Sequence, residues 1–165
     1  MRRYLAVFTG VMALVFASTA ARADAGLIVA GTDVGGEPWV TVFDALSGDV
    51  LEDLPVYDEA FRGGVHVATG DVNGDGIPDI ITGPGAGIGV GPVVNVYDGY
   101  DYSLFDSFYA YDPSFSGGVF VAAGDVNGDG YADIVTGTGP GGGPHVRVFD
   151  GYDGMERDSF FAYDA

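Results

Sequence analysis

Two acidic, glycine-interrupted segments contain the residues best suited to chemistry. The stretch "GDVNGDGIPDIITG" occupies residues 70–83 and returns as "GDVNGDGYADIVTG" at residues 124–137, which is 54 residues later. Counted from its first aspartate, each segment has oxygen-bearing side chains at positions 1, 3, 5 and 9 and a glycine at position 6. Alternating oxygen ligands around a tight turn, with a backbone carbonyl at position 7, can surround a hard cation such as Ca²⁺.

This spacing predicts two calcium sites with five ligands each. A simple Asn-Gly or Asp-Gly hairpin turn is the alternative. Two matches over nine positions, in the same register of a repeat, favour the cation-binding interpretation. The first predicted ligand set is Asp71, Asn73, Asp75, Ile77 (through its carbonyl) and Asp79, and the second is Asp125, Asn127, Asp129, Tyr131 (through its carbonyl) and Asp133.

The position of these segments between strands excludes an EF-hand or dockerin-like loop. Such a loop needs a carboxylate at position 12 and a helix that presents it. Position 12 is Thr82 in the first segment and Thr136 in the second, inside the apolar runs "DIITG" and "DIVTG". Short β-branched runs of this kind predict strands, so each acidic segment joins two strands.

The acidic segments belong to a longer internal repeat. "VVNVYDGYD" (93–101) matches "HVRVFDGYD" (145–153), and "DSFYAYD" (106–112) matches "DSFFAYD" (158–164). An earlier copy without an acidic segment is visible where "LIVAGTDVGGEPWVTVFD" (27–44) aligns with "DIVTGTGPGGGPHVRVFD" (133–150). The chain is therefore predicted to contain a partial repeat at 27–60 and complete repeats at 61–114 and 115–165.

Hydrophobicity within a repeat alternates with a period of two, which predicts four short strands per repeat and an all-β fold. Four-stranded repeats of about 50 residues have the size of a propeller blade. A propeller needs about four to eight blades to close. We therefore expect an incomplete propeller of about 2.7 blades. A truncated chain, an open arc and assembly with other chains all remain possible explanations.

The combined pattern resembles the FG-GAP or VCBS-type repeat, found in the β-propellers of integrin α-subunits and in many secreted bacterial proteins. The residues that carry the resemblance are "FRGGVHVATGDVNGDGIPDIITG" and "FSGGVFVAAGDVNGDGYADIVTG". The resemblance implies antiparallel four-stranded blades and Ca²⁺ bound in the acidic segment between two strands. It also implies that the ten residues named above act as the ligands of the two sites.

The N-terminal residues predict a secretory signal peptide at 1–23. Arg2 and Arg3 precede an apolar run, and the segment ends in the cleavage pattern Ala21-Arg22-Ala23. The apolar run is too short to span a membrane, so the predicted mature domain is 24–165. Cleavage removes three arginines and no acidic residue, which changes the formal charge from −18 to −21. Such a surface repels nucleic acid and attracts cations.

Other chemistry has weaker support. The glycine-rich stretches at 83–89 and 137–143 are predicted to be turns, because each leads into a strand rather than a helix. The two histidines, His66 and His145, have no partner motif and are predicted to pack or lie at the surface. Nucleophile motifs and cysteine are absent, so we expect no catalysis. Trp39 and the tyrosines of "YDGYDYS" could form an aromatic binding face, although inter-blade packing is favoured.

These features predict a secreted calcium-binding module that recognises an extracellular protein or a glycan. Its strand-connecting loops would form the contact surface. The alternative is a non-catalytic accessory domain, or a fragment, of a larger extracellular enzyme. Open strand edges suggest self-association.

Overall fold

Short β-branched and aromatic runs, separated by Gly, Pro, Asp and Asn, form every regular element that the structure describes. This computed structural model describes residues 13–16 and 26–163. The strands are β1 (Ala13–Phe16), β2 (Leu27–Gly31), β3 (Trp39–Asp44), β4 (Val50–Pro55), β5 (Val65–Gly70), β6 (Asp79–Pro84), β7 (Val93–Tyr97), β8 (Leu104–Tyr109), β9 (Val119–Gly124), β10 (Asp133–Thr138), β11 (His145–Phe149) and β12 (Glu156–Phe161). In that part of the chain no helix is long and apolar enough to cross a membrane.

The strands form three four-stranded antiparallel sheets, each a simple meander. Sheet 1 contains β1–β4, sheet 2 contains β5–β8 and sheet 3 contains β9–β12. The last two strands of every sheet share an irregularity in register at the same repeat position, between Val42/Phe43, Val96/Tyr97 and Val148/Phe149. The predicted all-β fold of propeller-like blades, with four strands in each complete repeat, is confirmed.

Sheet 1 has one strand more than the sequence predicts. Residues Ala13–Phe16 pair antiparallel with β2, in the register from Ala13 opposite Gly31 to Phe16 opposite Ile28. Without β1, the backbone groups of β2 would lack partners along one edge, and an extended upstream segment satisfies them. The predicted signal peptide otherwise lies outside the described residues, and it remains a prediction.

Neighbouring sheets pack face to face, and alternate residues of sheet 2 serve two different cores. Ile80 belongs to the cluster between sheets 1 and 2, whereas Ile81 belongs to the cluster between sheets 2 and 3. Both side chains are completely buried. Because successive side chains of a strand point to opposite faces, a two-sided core requires the continuous apolar run of "DIITG".

A tyrosine links sheet 1 to sheet 2 and sheet 2 to sheet 3; Tyr57 is half-buried and Tyr111 is buried. Tyr57 follows the last strand of sheet 1. Its hydroxyl lies 3.1 Å from Thr82 Oγ1 and donates a hydrogen bond to the carbonyl of Val93 at 3.0 Å. One repeat later, the Tyr111 hydroxyl lies 3.1 Å from Thr136 Oγ1. The two threonines that replace the EF-hand carboxylate therefore take part in the packing between sheets.

Sheet 3 presents an exposed apolar face on the side away from sheet 2. Phe160 is 44% exposed there, whereas Phe120, which is 53% exposed, stacks on His66 of sheet 2. The matching face of sheet 2 contains Val94 and Val96, both fully buried by sheet 3. Within the described residues, the stack of sheets therefore stops with a face that still has the composition of an inter-sheet core.

Candidate cation-binding loops

The two acidic segments form loops that connect the first two strands of sheets 2 and 3. The first loop joins β5 to β6, and the second joins β9 to β10. Asp79 and Asp133, at position 9, begin the strands that follow the loops. This strand-to-strand connection confirms the prediction that distinguished these loops from an EF-hand.

Asp71 organises the first loop through its own backbone. One oxygen of its carboxylate accepts a hydrogen bond from the Gly74 amide at 2.8 Å, and the other accepts one from the Gly76 amide at 2.9 Å. The two glycines have φ angles of 77° and 86°, a left-handed conformation that glycine adopts at little cost. Asp75 in turn accepts a bond from the Ile77 amide at 2.7 Å. Aspartates at alternate positions thus hold the loop in tight turns through bonds to its own backbone amides.

Asp79 lies completely buried beneath the first loop. Its carboxylate accepts hydrogen bonds from the backbone amides of Val72, Asn73 and Gly99 at 2.9, 3.1 and 3.0 Å. Burial nevertheless raises the pKa of this carboxyl to about 6, because desolvation outweighs those donors and the negative charge of Asp98 adds to it. A buried carboxylate in such surroundings is stabilised by a positive charge.

The N–H groups of the Asn73 side chain supply part of this positive charge. Its Nδ2 atom lies 3.3 Å from Asp79 Oδ1 and 3.2 Å from Asp98 Oδ2. The amide therefore bridges two carboxylates that would otherwise repel each other. An amide dipole offsets such repulsion less than a full charge does.

The second loop repeats this arrangement with one more acceptor. Asp125 accepts hydrogen bonds from the backbone amides of Gly130 and Gly128, and these bonds hold the pKa of its carboxyl below the usual value. The Nδ2 atom of Asn127 lies within 3.4 Å of three carboxylates, at 2.8 Å from Asp129, 3.4 Å from Asp133 and 3.3 Å from Asp150. Two amide hydrogens thus face three anionic acceptors, so positive charge is in short supply.

Arg157 distinguishes the second loop from the first. Its Nη1 atom lies 2.5 Å from Asp150 Oδ2. This hydrogen bond is the main reason why the pKa of Asp150 lies below its usual value. Phe105 occupies the matching position in the preceding repeat, beside the first loop. Only the second of the two described loops therefore has a guanidinium group on its outer carboxylate.

The two loops also contact each other. The Ala132 amide donates a hydrogen bond to the carbonyl of Asp71 at 2.7 Å. The ring of Tyr131 lies against Gly74, where an added Cβ atom would approach its Cε1 atom to 2.4 Å. The side chain of Tyr131, at position 7 of the second loop, therefore packs against the first loop. The ligand pattern does not indicate this contact, because it assigns only the carbonyl of Tyr131 a role.

The predicted ligands of each site lie together in one loop, but their carboxylates do not converge on a common point. Across residues 26–163, no group of three Asp, Glu or His side chains is arranged to hold a metal ion. The donor chemistry does fit a hard cation, because all side-chain ligands offer carboxylate or amide oxygens. The shortage of positive charge around Asn73 and Asn127 fits it as well.

Sequence reasoning missed three residues that belong to these surroundings. Asp98 and Asp150 reach the loops from the ends of β7 and β11, and Arg157 reaches the second loop from β12. The signal for the two aspartates is present in the repeated motifs "YDGYD" and "FDGYD". Nothing in the local pattern around Arg157 indicates its role.

Both histidines stack on phenylalanine rings. His66 stacks on Phe120 with ring centroids 4.4 Å apart, and His145 stacks on Phe161 at 4.8 Å. These contacts agree with the predicted packing role. Of the aromatic residues considered for a binding face, Tyr97 is buried, Trp39 is 36% exposed and Tyr100 is 74% exposed.

Comparison with known proteins finds a family match that includes the second acidic loop. A family model described as the FG-GAP repeat matches residues 117–154, which include the second acidic loop. Integrin alpha-V of Gallus gallus is 37% identical over 82 residues, a stretch that covers 49% of this chain and 8% of the integrin chain. The chain thus spans a small part of the length of this relative. These matches show that residues 117–154 are similar to an FG-GAP repeat, and the two preceding sheets have the same four-stranded antiparallel order.

Proposed function

We propose that this chain is a secreted, calcium-binding recognition module without catalytic activity. The observation that carries the proposal is the pair of matching loops, each of which gathers carboxylates around a single asparagine amide. A divalent cation would place a full positive charge where the asparagine amide now offers only the partial charge of its N–H groups. No other feature of the described residues repeats with comparable chemistry.

Ten loop residues would hold the two calcium ions. When bound, calcium supplies positive charge and ties the end of the first strand of a sheet to the start of the second. The protein residues orient the loop through the aspartate-to-backbone hydrogen bonds described above. The residues are Asp71, Asn73, Asp75, Ile77 and Asp79 in the first loop, and Asp125, Asn127, Asp129, Tyr131 and Asp133 in the second.

Likeness to an integrin chain supports an adhesion or recognition role outside the cell. The predicted signal peptide at 1–23 supports export as well. The partner would be an extracellular protein or a glycan. The net charge of −18 argues against nucleic acid as the partner. Export with cleavage after Ala23 predicts a secreted chain that begins at Asp24, which N-terminal sequencing of the secreted protein can check.

Self-association and a role as an accessory domain are further candidates. The outer strands β4, β8 and β12 are largely exposed, and such edges can pair with another chain. The uncovered apolar face of sheet 3 favours a neighbour, either a second copy or further repeats in a larger extracellular enzyme. Sizing of the secreted chain by light scattering separates a monomer from an assembly.

Thermal unfolding with and without calcium tests the proposal. Binding to the folded state alone raises the melting temperature. We expect Ca²⁺ to raise the midpoint relative to a chelator, and the double substitution Asp75→Ala with Asp129→Ala to abolish this rise. Glu59→Ala, an exposed acidic residue outside the loops, serves as a control for the change in net charge. Equal midpoints of the wild-type protein with calcium and with chelator would contradict the proposal.

A further inference from the structure

A cleft opens between sheets 2 and 3, on the side of the outer strands. Its volume is about 210 Å³, and its walls include Phe105 and Phe108 of β8, Phe149 of β11 and Tyr152 of the following loop. An apolar cavity of about 150 Å³ is large enough for a benzene ring. The cleft therefore has room for one aromatic ring with a short substituent.

The corresponding place between sheets 1 and 2 is filled by a side chain of the protein itself. Tyr102 is partly buried and packs against the core cluster between these two sheets. The cluster contains Leu54, Ile80 and Tyr97, whose repeat partners Phe108, Ile134 and Phe149 line the open cleft. The same set of repeat positions thus surrounds a tyrosine ring in one interface and an open space in the next.

The difference between the two clefts comes from a single repeat position. Gly154 occupies the position of Tyr102, and the two loops have the same backbone hydrogen bond. The Tyr102 amide donates to the carbonyl of Asp98 at 2.9 Å, and the Gly154 amide donates to the carbonyl of Asp150 at 2.9 Å. The φ angles of Tyr102 and Gly154 are 62° and 71°.

Tyr102 is unusual for the conformation that it adopts. It is the one non-glycine residue with a positive φ angle in the described part of the chain. A left-handed backbone is strained for a tyrosine, so packing of its ring must offset that strain. A Cβ atom added at Gly154 would meet no other atom within 4 Å. The open cleft could therefore accept the ring that its counterpart contains.

Charge at the open cleft favours a cationic occupant. Asp106 and Asp153 line it and are exposed, whereas Asp150 is already paired with Arg157. Two carboxylates without a paired cation therefore stand beside several aromatic faces. Both kinds of group attract an ammonium ion.

We propose that this cleft binds a small ligand in which a phenol-sized ring is joined to an amine. The ring takes the place that Tyr102 fills in the preceding interface, and the amine lies toward Asp106 and Asp153. The site adjoins the second acidic loop, because Asp150 lines the cleft and also contacts Asn127, and the proposal goes beyond the recognition role described above by naming a ligand class. For a ligand of this size we expect a Kd on the order of 1 mM.

Titration with tyramine, followed by NMR chemical shifts of the backbone amides, tests the proposal. We expect saturable shifts centred on residues 105–108 and 149–154, at least about tenfold weaker binding of p-cresol, and no binding of the anionic 3-(4-hydroxyphenyl)propionate. Butylamine controls for the charge alone. Binding of p-cresol or butylamine as tight as that of tyramine, or no saturable binding of tyramine at millimolar concentrations, would overturn the proposal.

Three substitutions at one repeat position make the test specific. Gly154→Tyr should fill the cleft from within and reduce tyramine affinity at least about tenfold, since Tyr102 shows that the backbone accepts tyrosine there. Gly48→Tyr is the matched control, because Gly48 has a φ angle of 72° at the same position of sheet 1 and lies away from the cleft. Tyr102→Gly should open a second site for tyramine. Unchanged affinity of folded Gly154→Tyr protein would refute the assignment.

Discussion

Replacing Tyr111 with phenylalanine removes one hydroxyl from the interface between sheets 2 and 3. The hydroxyl lies 3.1 Å from Thr136 Oγ1 and donates to the carbonyl of His145 at 3.2 Å. Thr136 is completely buried, and its remaining contact with a backbone carbonyl is long at 3.4 Å. Each lost hydrogen bond costs about 0.5–1.5 kcal/mol, so we expect Tyr111→Phe to lower the free energy of unfolding by about 1–2 kcal/mol.

Urea denaturation followed by circular dichroism measures this loss. The shift corresponds to a decrease of roughly 3–6 °C in melting temperature for a chain of this size. Tyr100→Phe is the matched control, because Tyr100 is 74% exposed and should change stability little. Combining Tyr111→Phe with Thr136→Val should cost less than the sum of the single changes, since the two groups share one contact. Equal stability of Tyr111→Phe and Tyr100→Phe would refute the role of the tyrosine link.

Two further comparisons use repeat positions in different surroundings. A Cβ atom at Gly83 would lie 2.5 Å from a backbone oxygen of sheet 3, whereas at Gly137, one repeat later, its nearest neighbour would be at 3.9 Å. Gly83→Ala should therefore cost about 1–3 kcal/mol and Gly137→Ala little, which thermal unfolding can check. Replacing Arg157 with phenylalanine frees Asp150 and should strengthen calcium binding at the second loop several-fold; calorimetry that finds both loops unaffected would contradict this.

The strands and their repeat could be predicted because they depend on local patterns. The continuous run in "DIITG" indicates a strand with two buried faces, and β6 has this property. The alternation in "VVNVYD" indicates one buried face, but Asn95 and Tyr97 on the other face of β7 are buried as well. Strand β1 could not be predicted, because its residues also match a signal peptide. Its pairing with β2 depends on a free strand edge rather than on its own sequence.

The acidic loops could be placed from spacing alone, but their surroundings could not. Asp79 and Asn73 are close in sequence, whereas Asp98 joins them only because β6 pairs with β7. The position of Arg157 depends likewise on the pairing of β11 with β12. Tyr102 and Gly154 look like ordinary loop residues in the sequence, and their contrast is visible only when the two interfaces are compared.

Isothermal titration calorimetry with Ca²⁺ tests the central claim most directly. We predict two calcium ions bound per wild-type chain, one per Asp75→Ala chain and none when Asp129→Ala is added. The loss of sites in this order would assign one ion to each loop. Absence of saturable heat with the wild-type protein, or binding that persists unchanged in the double variant, would contradict the account.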